Sequence, residues 1–420
     1  MSRVSIVGAY NTRFGSLVKK NKETGEVSDL ASIYDLMIEA GQGALKDAGI
    51  PGRDIDGVWV GSCAPGLLAN QEHLAGMAPE IDPEGLRFKP MTRCEDACAS
   101  GSVALYNALY AVESGRARIA LVVGVEKMNL LDTKAVTHAL ATCSYWPEEG
   151  AKAVTFPCLF AEYAKGYAAR WGLSPETLAS MLASVSALGY RNGLDNPLAH
   201  FGKGGPSDRA QLVTAEAILA LPAEKNPMIA EPLRLHDCSL VSDGAAAVVI
   251  MRSDTEAGRG ARAVEIAGIG HVNERMALSV RPNMHELMAG KEAVRRAFQE
   301  AGIGISDVDI AEVHDCFSIN QILCTEALGL SADGRAGYDY MEGRFGRDDA
   351  RCSVNLSGGL KAKGHPVGAT GVSMHAVLYK QLIGEPWGAV PARKPPEIGV
   401  SFNVGGSGVT NCVSVLRRRG

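Results

Sequence analysis

Nothing in the 420-residue sequence is long and apolar enough to cross a membrane: no run of about 18 apolar residues occurs. The opening MSRVSIVGAYNTRFG runs straight into a strand-like pattern and has no apolar leader core. Charge of one sign is not in excess. There are 42 Lys and Arg against 47 Asp and Glu, a net of -5, which excludes an electrostatic case for nucleic acid or an anionic membrane surface as partner. The run Arg417-Arg418-Arg419 reads as a short solvated tail. No low-complexity linker or long charge block divides the chain, and the end RRRG lacks the Ser-Lys-Leu type of address. The ten cysteines are scattered through apolar runs and do not form a secreted disulfide framework. The expected compartment is therefore a reducing cytoplasm, where thiols stay free. The length allows about three domain-sized units, enough to bury a large core without disulfides or metals.

What is present is a duplication. Strand-like apolar runs alternate with helical patterns, which predicts an α/β protein with mostly parallel, buried strands. ALKDAGIPGRDIDGVWV at 44–60 is echoed by AFQEAGIGISDVDIAEV at 297–313. In both, a helix ends at Ala-Gly-Ile, Asp-x-Asp follows, and a strand comes next. Each copy has a strand upstream, VSIVGA from Val4 and VEIAGI from Val264. Two matches in one order point to two α/β halves, 1–262 and 263–420. The excess length of the first lies between the strands RIALVVGVE (118–126) and AAAVVIM (245–251), which predicts an inserted subdomain near 128–238. Within it, Phe160, Tyr163, Tyr167 and Trp171 recur at helical spacing. They read as a core-facing stripe, with direct substrate contact the alternative.

Four short stretches carry candidate chemistry. In EDACASGSVALYNALYAV (95–112), Cys98 heads an amphipathic helix among small residues. A helix N-terminus favours thiolate, and an open backbone there can present an oxyanion donor. A small buried core cysteine explains the same residue. AEVHDCFSINQILCTEAL (311–328) puts His314, Asp315 and Cys316 at the carboxyl end of a strand, where open α/β sheets hold ligands. VNLSGGLKAKGHPVGATGV (354–372) is a glycine-rich strand-to-helix loop holding His365 in Gly-His-Pro. Its Lys361 and Lys363 are candidates for a phosphate contact, or simply face solvent. SFNVGGSGVTNCVSVL (401–416) reads as two strands around the Gly405-Gly406 turn, with Asn403 leading in. Taken alone, it is an ordinary glycine hairpin.

Together these stretches resemble the thiolase superfamily over essentially the whole chain. The Cys-Ala-Ser-Gly start, the Gly-His-Pro loop and the terminal Gly-Gly turn occur in that family's order. His-Asp-Cys-Phe at 314–317 and LRLHDCSLVSDGAAAVV at 233–249 are similar to the sterol-carrier-protein-type branch with its bacterial and archaeal relatives. Asp237 and Cys238 are expected to be structural. The resemblance implies the thiolase fold, duplicated halves forming a five-layered α-β-α-β-α sandwich. It implies reversible thiolytic cleavage of a 3-oxoacyl-CoA, or Claisen condensation with acetyl-CoA, with coenzyme A as substrate and no permanently bound cofactor. By that resemblance Cys98 carries the acyl group and His365 takes its proton. Cys316 serves as the second acid–base cysteine, because Asn403 stands where better-known thiolases have one. His314 and His365 hold the enolate oxygen, and the N–H groups of Cys98 and Gly405 hold the tetrahedral oxyanion. His314, Cys316 and His365 also read as zinc ligands, but Cys98 and a free CoA sulfur must work beside them, so no metal is expected. A homodimer or tetramer is the family expectation. The alternatives are a decarboxylating condensing enzyme, a carbon–carbon lyase of the aldolase type working with a small zinc-binding OB-fold partner, and a non-catalytic lipid- or partner-binding scaffold.

Overall fold

The structure, a computed structural model, describes residues 3–21, 23–205 and 207–419. Ten strands build its main sheet: β1 (Val4–Asn11), β2 (Gly57–Gly61), β3 (Met91–Cys94), β4 (Ile119–Glu126), β5 (Gly244–Arg252), β6 (Val264–Asn273), β7 (Ile310–Val313), β8 (Ser353–Val354), β9 (Ile398–Gly405) and β10 (Thr410–Arg418). Their order is β8-β7-β9-β10-β6-β1-β5-β4-β2-β3. Outward from the central β1–β6 pair, strand n on one side is answered by strand n+5 on the other. The duplication is thus written into the topology.

Pairing sense is duplicated too. In each half the two inner pairings are antiparallel and the two outer ones parallel. With the antiparallel β1–β6 junction, the sheet is mixed, which corrects the expectation of mostly parallel strands. Strands buried on both faces are apolar throughout whichever way their neighbours run, so the pattern does not carry the sense. The last two strands, β9 and β10, are joined by a tight turn and must be antiparallel.

The longer helices are α1 (Ile33–Ala48), α2 (Ser100–Glu113), α3 (Thr133–Ala141), α4 (Phe156–Trp171), α5 (Pro175–Leu194), α6 (Met288–Ala301), α7 (Ser318–Leu328) and α8 (Thr370–Leu382). Helix α1 covers the outer face of the first half, packing Leu36 and Met37 on Val58, Val60 and Val123. Helices α2 and α8 lie between the halves, with Leu105, Leu109, Val372 and Leu378 against Val122, Val248 and Val264. Helices α6 and α7 cover the far face, with Ala297 and Ile322 over Val313, Phe402 and Val413. The layers therefore run α-β-α-β-α.

The two Ala-Gly-Ile copies do the same work. Gly49 and Gly302 both end their helices at φ 66°, a left-handed conformation that glycine adopts without a Cβ penalty. The strands they pack on both carry a bulge at a glycine, Gly8 in β1 and Gly268 in β6. A Cβ on either glycine would lie 2.5–2.7 Å from the backbone nitrogen of Ala48 or Ala301.

Between β4 and β5 the chain forms α3, α4, α5 and a small ribbon, Met228–Ala230 with Leu233–Arg234. Helix α4 buries Phe160, Tyr163 and Tyr167 in the core of the second half, with Trp171 packed at its edge. The Tyr167 hydroxyl donates to Glu326 at 2.6 Å. No helix of the described residues is long and apolar enough to cross a membrane.

Candidate active site

Cys98 lies in the turn between β3 and α2. Ala97 before it holds φ 50°, which costs a non-glycine residue about 1–3 kcal/mol and persists only where the surroundings impose it. Ser100 does so: its hydroxyl donates to the Ala97 carbonyl at 2.6 Å and accepts the Asp96 N–H at 2.9 Å. His314 and Cys316 follow the carboxyl end of β7, His365 lies on the loop entering α8, and Asn403 is near the end of β9. The Cys98 sulfur and one ring nitrogen each of His314 and His365 lie within 4.8 Å of one another. The two imidazoles stand edge to face, their centroids 5.1 Å apart.

Hydrogen bonds set opposite tautomers on the two rings. The Thr370 hydroxyl has one proton and gives it to the Pro366 carbonyl at 3.0 Å. It therefore accepts from His365 Nδ1 at 2.7 Å, and His365 Nε2 keeps its lone pair. His314 is the reverse. Ser102 donates to Asn403 Oδ1 at 2.8 Å, so the Asn403 amide group donates, to the Cys98 carbonyl at 3.1 Å and to His314 Nδ1 at 3.0 Å. His314 Nε2 must then carry the proton, and it is buried with no partner among the described residues. The site holds one acceptor nitrogen and one donor nitrogen. A metal would need lone pairs from both rings, so the donor set fits proton transfer better than ligation.

Burial dominates the electrostatics. It pushes the Cys98 thiol up, with Cys143 adding to the rise and the N–H groups of Gly406 and Cys98 opposing it. A helix dipole is worth about 0.3–1 kcal/mol, and here it loses: the resting sulfur is a thiol. His314 is held well below its usual range by burial and by His365. His365 is pushed down to about 3 by burial and by Lys363. Both rings are neutral at pH 7. Burial also raises the Cys316 thiol, with Cys98 contributing.

Cys98, Cys316 and His365 share one cavity of about 260 Å³, walled by apolar side chains including Leu140, Phe160 and Val241. Phe160 serves core and cavity together, stacking on Phe317 with centroids 4.6 Å apart. The Gly406 N–H is directed at the Cys98 sulfur. Gly405, the expected oxyanion donor, ends β9 and borders a neighbouring cleft. Lys361 and Lys363 are buried, Lys361 donating to the Cys238 carbonyl and Lys363 to Ser373, so neither reaches out to a phosphate. Cys238 also lines the cavity, whereas the Asp237 carboxylate accepts the Arg234 N–H. Sequence reasoning missed Thr370, Ser102 and Gly406, whose signal was adjacency to motifs already marked. It also missed Cys63 and Cys143 on the cavity wall.

Comparison with known proteins gives the family. Residues 4–254 match the thiolase N-terminal domain and residues 270–418 the thiolase C-terminal domain-like family. The chain is 38% identical to an acetyl-CoA acetyltransferase of Methanothermobacter thermautotrophicus over all of both chains. It is 30% identical to sterol carrier protein 2 of Rattus norvegicus, over 92% of this chain and 67% of that protein. Among solved structures, the Ltp2-ChsH2(DUF35) aldolase superposes with a TM-score of 0.77 at 19% identity, over 99% of this chain and 98% of the other, a likeness of fold. Matched by both domain families across nearly its whole length, the chain belongs to the thiolase family.

Proposed function

We propose that the protein is a thiolase-type acyltransferase that cleaves a 3-oxoacyl-CoA with coenzyme A, or forms one from acetyl-CoA, through an acyl group on Cys98. The observation that carries this reading is the meeting of the Cys98 sulfur with one ring nitrogen each of His365 and His314, rings whose hydrogen bonds leave an accepting nitrogen on His365 and a donating one on His314. His365 Nε2 takes the thiol proton as the sulfur attacks the 3-keto carbon. The C2–C3 bond breaks, the acyl group stays on Cys98, and the electron pair passes to the acetyl-CoA enolate. His314 Nε2–H donates to the enolate oxygen, joined by His365 once it is protonated, and Cys316 supplies the proton to carbon. A second CoA thiol then removes the acyl group. The N–H groups of Cys98 and Gly405 hold the tetrahedral oxyanion; loss of one such donor costs roughly 10²–10³ in rate. Asn403 is a positioning residue, acting through His314.

In this reading the halves, taken as 1–262 and 263–420 with 128–238 inserted in the first, divide the work. The first supplies the nucleophile, and the second the histidines and the acid–base cysteine. Neutral partners in a closed site also explain the raised thiol: charge forms only as the acyl group transfers. A homodimer or tetramer belongs to the same proposal and a small zinc-binding OB-fold partner to the carbon–carbon lyase alternative; native mass spectrometry of the purified protein reads out both.

The test is intact mass and peptide mapping after mixing with acetyl-CoA. One acetyl adduct on Cys98 is expected. No adduct, with CoA still bound, refutes the acyl-enzyme and favours carbon–carbon lyase chemistry, which needs no acyl-cysteine.

A further inference from the structure

Two cysteines outside the proposed catalytic set lie sulfur to sulfur. Cys63 Sγ and Cys143 Sγ are 3.3 Å apart, from positions 80 residues apart in sequence. Cys63 follows β2, is buried, and has its N–H held by the Glu126 carboxylate at 2.7 Å. It is also the internal counterpart of Cys316. The Ala-Gly-Ile copies are offset by 301 − 48 = 253 residues, and 63 + 253 = 316. Cys143 lies just past α3, half-buried, its N–H donating to the Leu140 carbonyl at 2.9 Å.

The pair forms a wall between two spaces. On one side is the cavity of Cys98; on the other is a cleft of about 450 Å³ bordered by Glu72, Arg93, Glu95 and Asp96. The cleft gives small solutes a route to the thiols that avoids the acyl cavity. A disulfide needs its sulfurs about 2.05 Å apart, so closure requires an approach of roughly 1.3 Å. That is within reach of a half-buried residue beyond a helix end.

We infer that Cys63 and Cys143 are a dithiol site that closes to a disulfide at the expense of a low-molecular-weight disulfide, tying the α3 wall of the acyl cavity to the end of β2. The Cys143 thiolate attacks one sulfur of the small disulfide, and its partner leaves as a thiol. The Cys63 sulfur then displaces the remaining half from the mixed disulfide. One protein S–S bond forms, one small S–S bond breaks, and two electrons and two protons leave on two small thiols. Cys98 takes no part. Helix α3 contributes Thr133, Val136, Thr137 and Leu140 to the cavity, so the bond anchors that wall two residues beyond its end and leaves the nucleophile free.

The inference goes beyond the proposed activity and is tested without it. The full chain is titrated with oxidised glutathione, its free thiols are counted in denaturant, and its tryptic peptides are mapped. Cleavage after Lys and Arg separates Cys63 (54–87), Cys98 (94–116) and Cys143 (135–152). The expected result is a loss of two of the ten thiols, a 54–87 to 135–152 cross-link, and Cys98 still alkylated by iodoacetamide. Cys143→Ser should abolish the cross-link. A first disulfide involving Cys98 or Cys316, a glutathione adduct that stays on Cys143, or no loss of thiols overturns the inference. If that variant fails to fold, the wild-type map decides alone. Failure of the acyl-enzyme reading would show instead as no acetyl on Cys98 in reduced protein, whatever the cross-link map.

Discussion

Replacing Thr370 by Val tests whether a tautomer sets the reactivity of Cys98. The side chains have nearly the same shape, so packing in α8 is kept. What is lost is the acceptor of His365 Nδ1–H, the hydroxyl at 2.7 Å. Two responses are open to the ring. It can leave the buried Nδ1–H unpaired, at about 1–3 kcal/mol. Or it can move the proton to Nε2, which removes the lone pair proposed to receive the Cys98 proton. At about 1.4 kcal/mol per factor of ten, either response slows acylation roughly 5- to 150-fold. The assay is the rate of acetyl-Cys98 formation by quenched-flow mass spectrometry, with iodoacetamide alkylation across pH as the second readout. Thr370→Ser restores the hydroxyl and should recover most of the rate. An unchanged rate and an unchanged alkylation profile in Thr370→Val would show that the hydrogen bond does not set the tautomer, and the positioning argument would fall.

Asn403→Asp replaces a donor with an acceptor, so His314 must donate from Nδ1 and present a bare lone pair to the cavity; exchange of the acetyl-CoA methyl protons with D₂O should fall ~10²–10³-fold, followed by NMR. Cys316→Ala should still form acetyl-Cys98 but lose that exchange; full thiolysis in this variant would remove Cys316 from the mechanism. Gly101→Ala should lower turnover roughly 10²-fold with the far-UV circular dichroism unchanged, because its Cβ would lie 2.8 Å from the Gly368 carbonyl oxygen and the Val372 nitrogen. Burial pushes the carboxyls of Glu126 and Asp315 each up to about 7. The native state thus keeps protons that the unfolded chain releases near pH 4, so stability is highest below that pH and is lost as pH rises towards 7. Urea midpoints from pH 4 to 8 check the slope, which should be shallower in Glu126→Gln.

Much of the site was legible because its chemistry sits beside turn residues. Cys98, His314, His365 and Asn403 each adjoin a strand or helix end that apolar periodicity and glycine mark in sequence. The duplication was legible through Ala-Gly-Ile, since one packing problem, a helix end against a bulged strand, was solved twice with the same residues. Partners fixed by tertiary contact were not legible. Asn403 is 89 residues from the ring it orients, and Ser102 is 301 residues from the amide it orients. The Gly406 N–H at the Cys98 sulfur was not legible either, because the direction of an N–H in a tight turn depends on backbone angles that two adjacent glycines leave open. Lys361 and Lys363 misled for a related reason. A charged side chain in a polar loop ordinarily faces water, yet here one ammonium finds a carbonyl and the other a hydroxyl beneath the loop.

The duplicated fold also explains why Cys98 and His365 meet at all. Helices α2 and α8 occupy equivalent places, each following the outermost strand of its half. Their entries read Cys-Ala-Ser-Gly at 98–101 and Gly-Ala-Thr-Gly at 368–371. Ser100 and Thr370 each turn a hydroxyl back to a carbonyl three or four residues earlier. The glycines face each other across the layer: a Cβ on Gly101 would strike Gly368 and Val372, and one on Gly371 would fall 2.3 Å from the Ser102 nitrogen. Only chains without side chains there can bring two helix N-termini to this separation. One entry then carries the Cys98 sulfur, and the other holds the His365 ring proposed to take its proton. The remaining entries, after β2 and β7, are equivalent as well and deliver Cys63 and Cys316 to the same cavity. A symmetric scaffold thus supplies four loop positions around one space. The chemistry proposed for the site depends on how their residues differ: a thiol and an imidazole at the helix entries, and at the strand ends one cysteine assigned to acid–base work and another paired with Cys143.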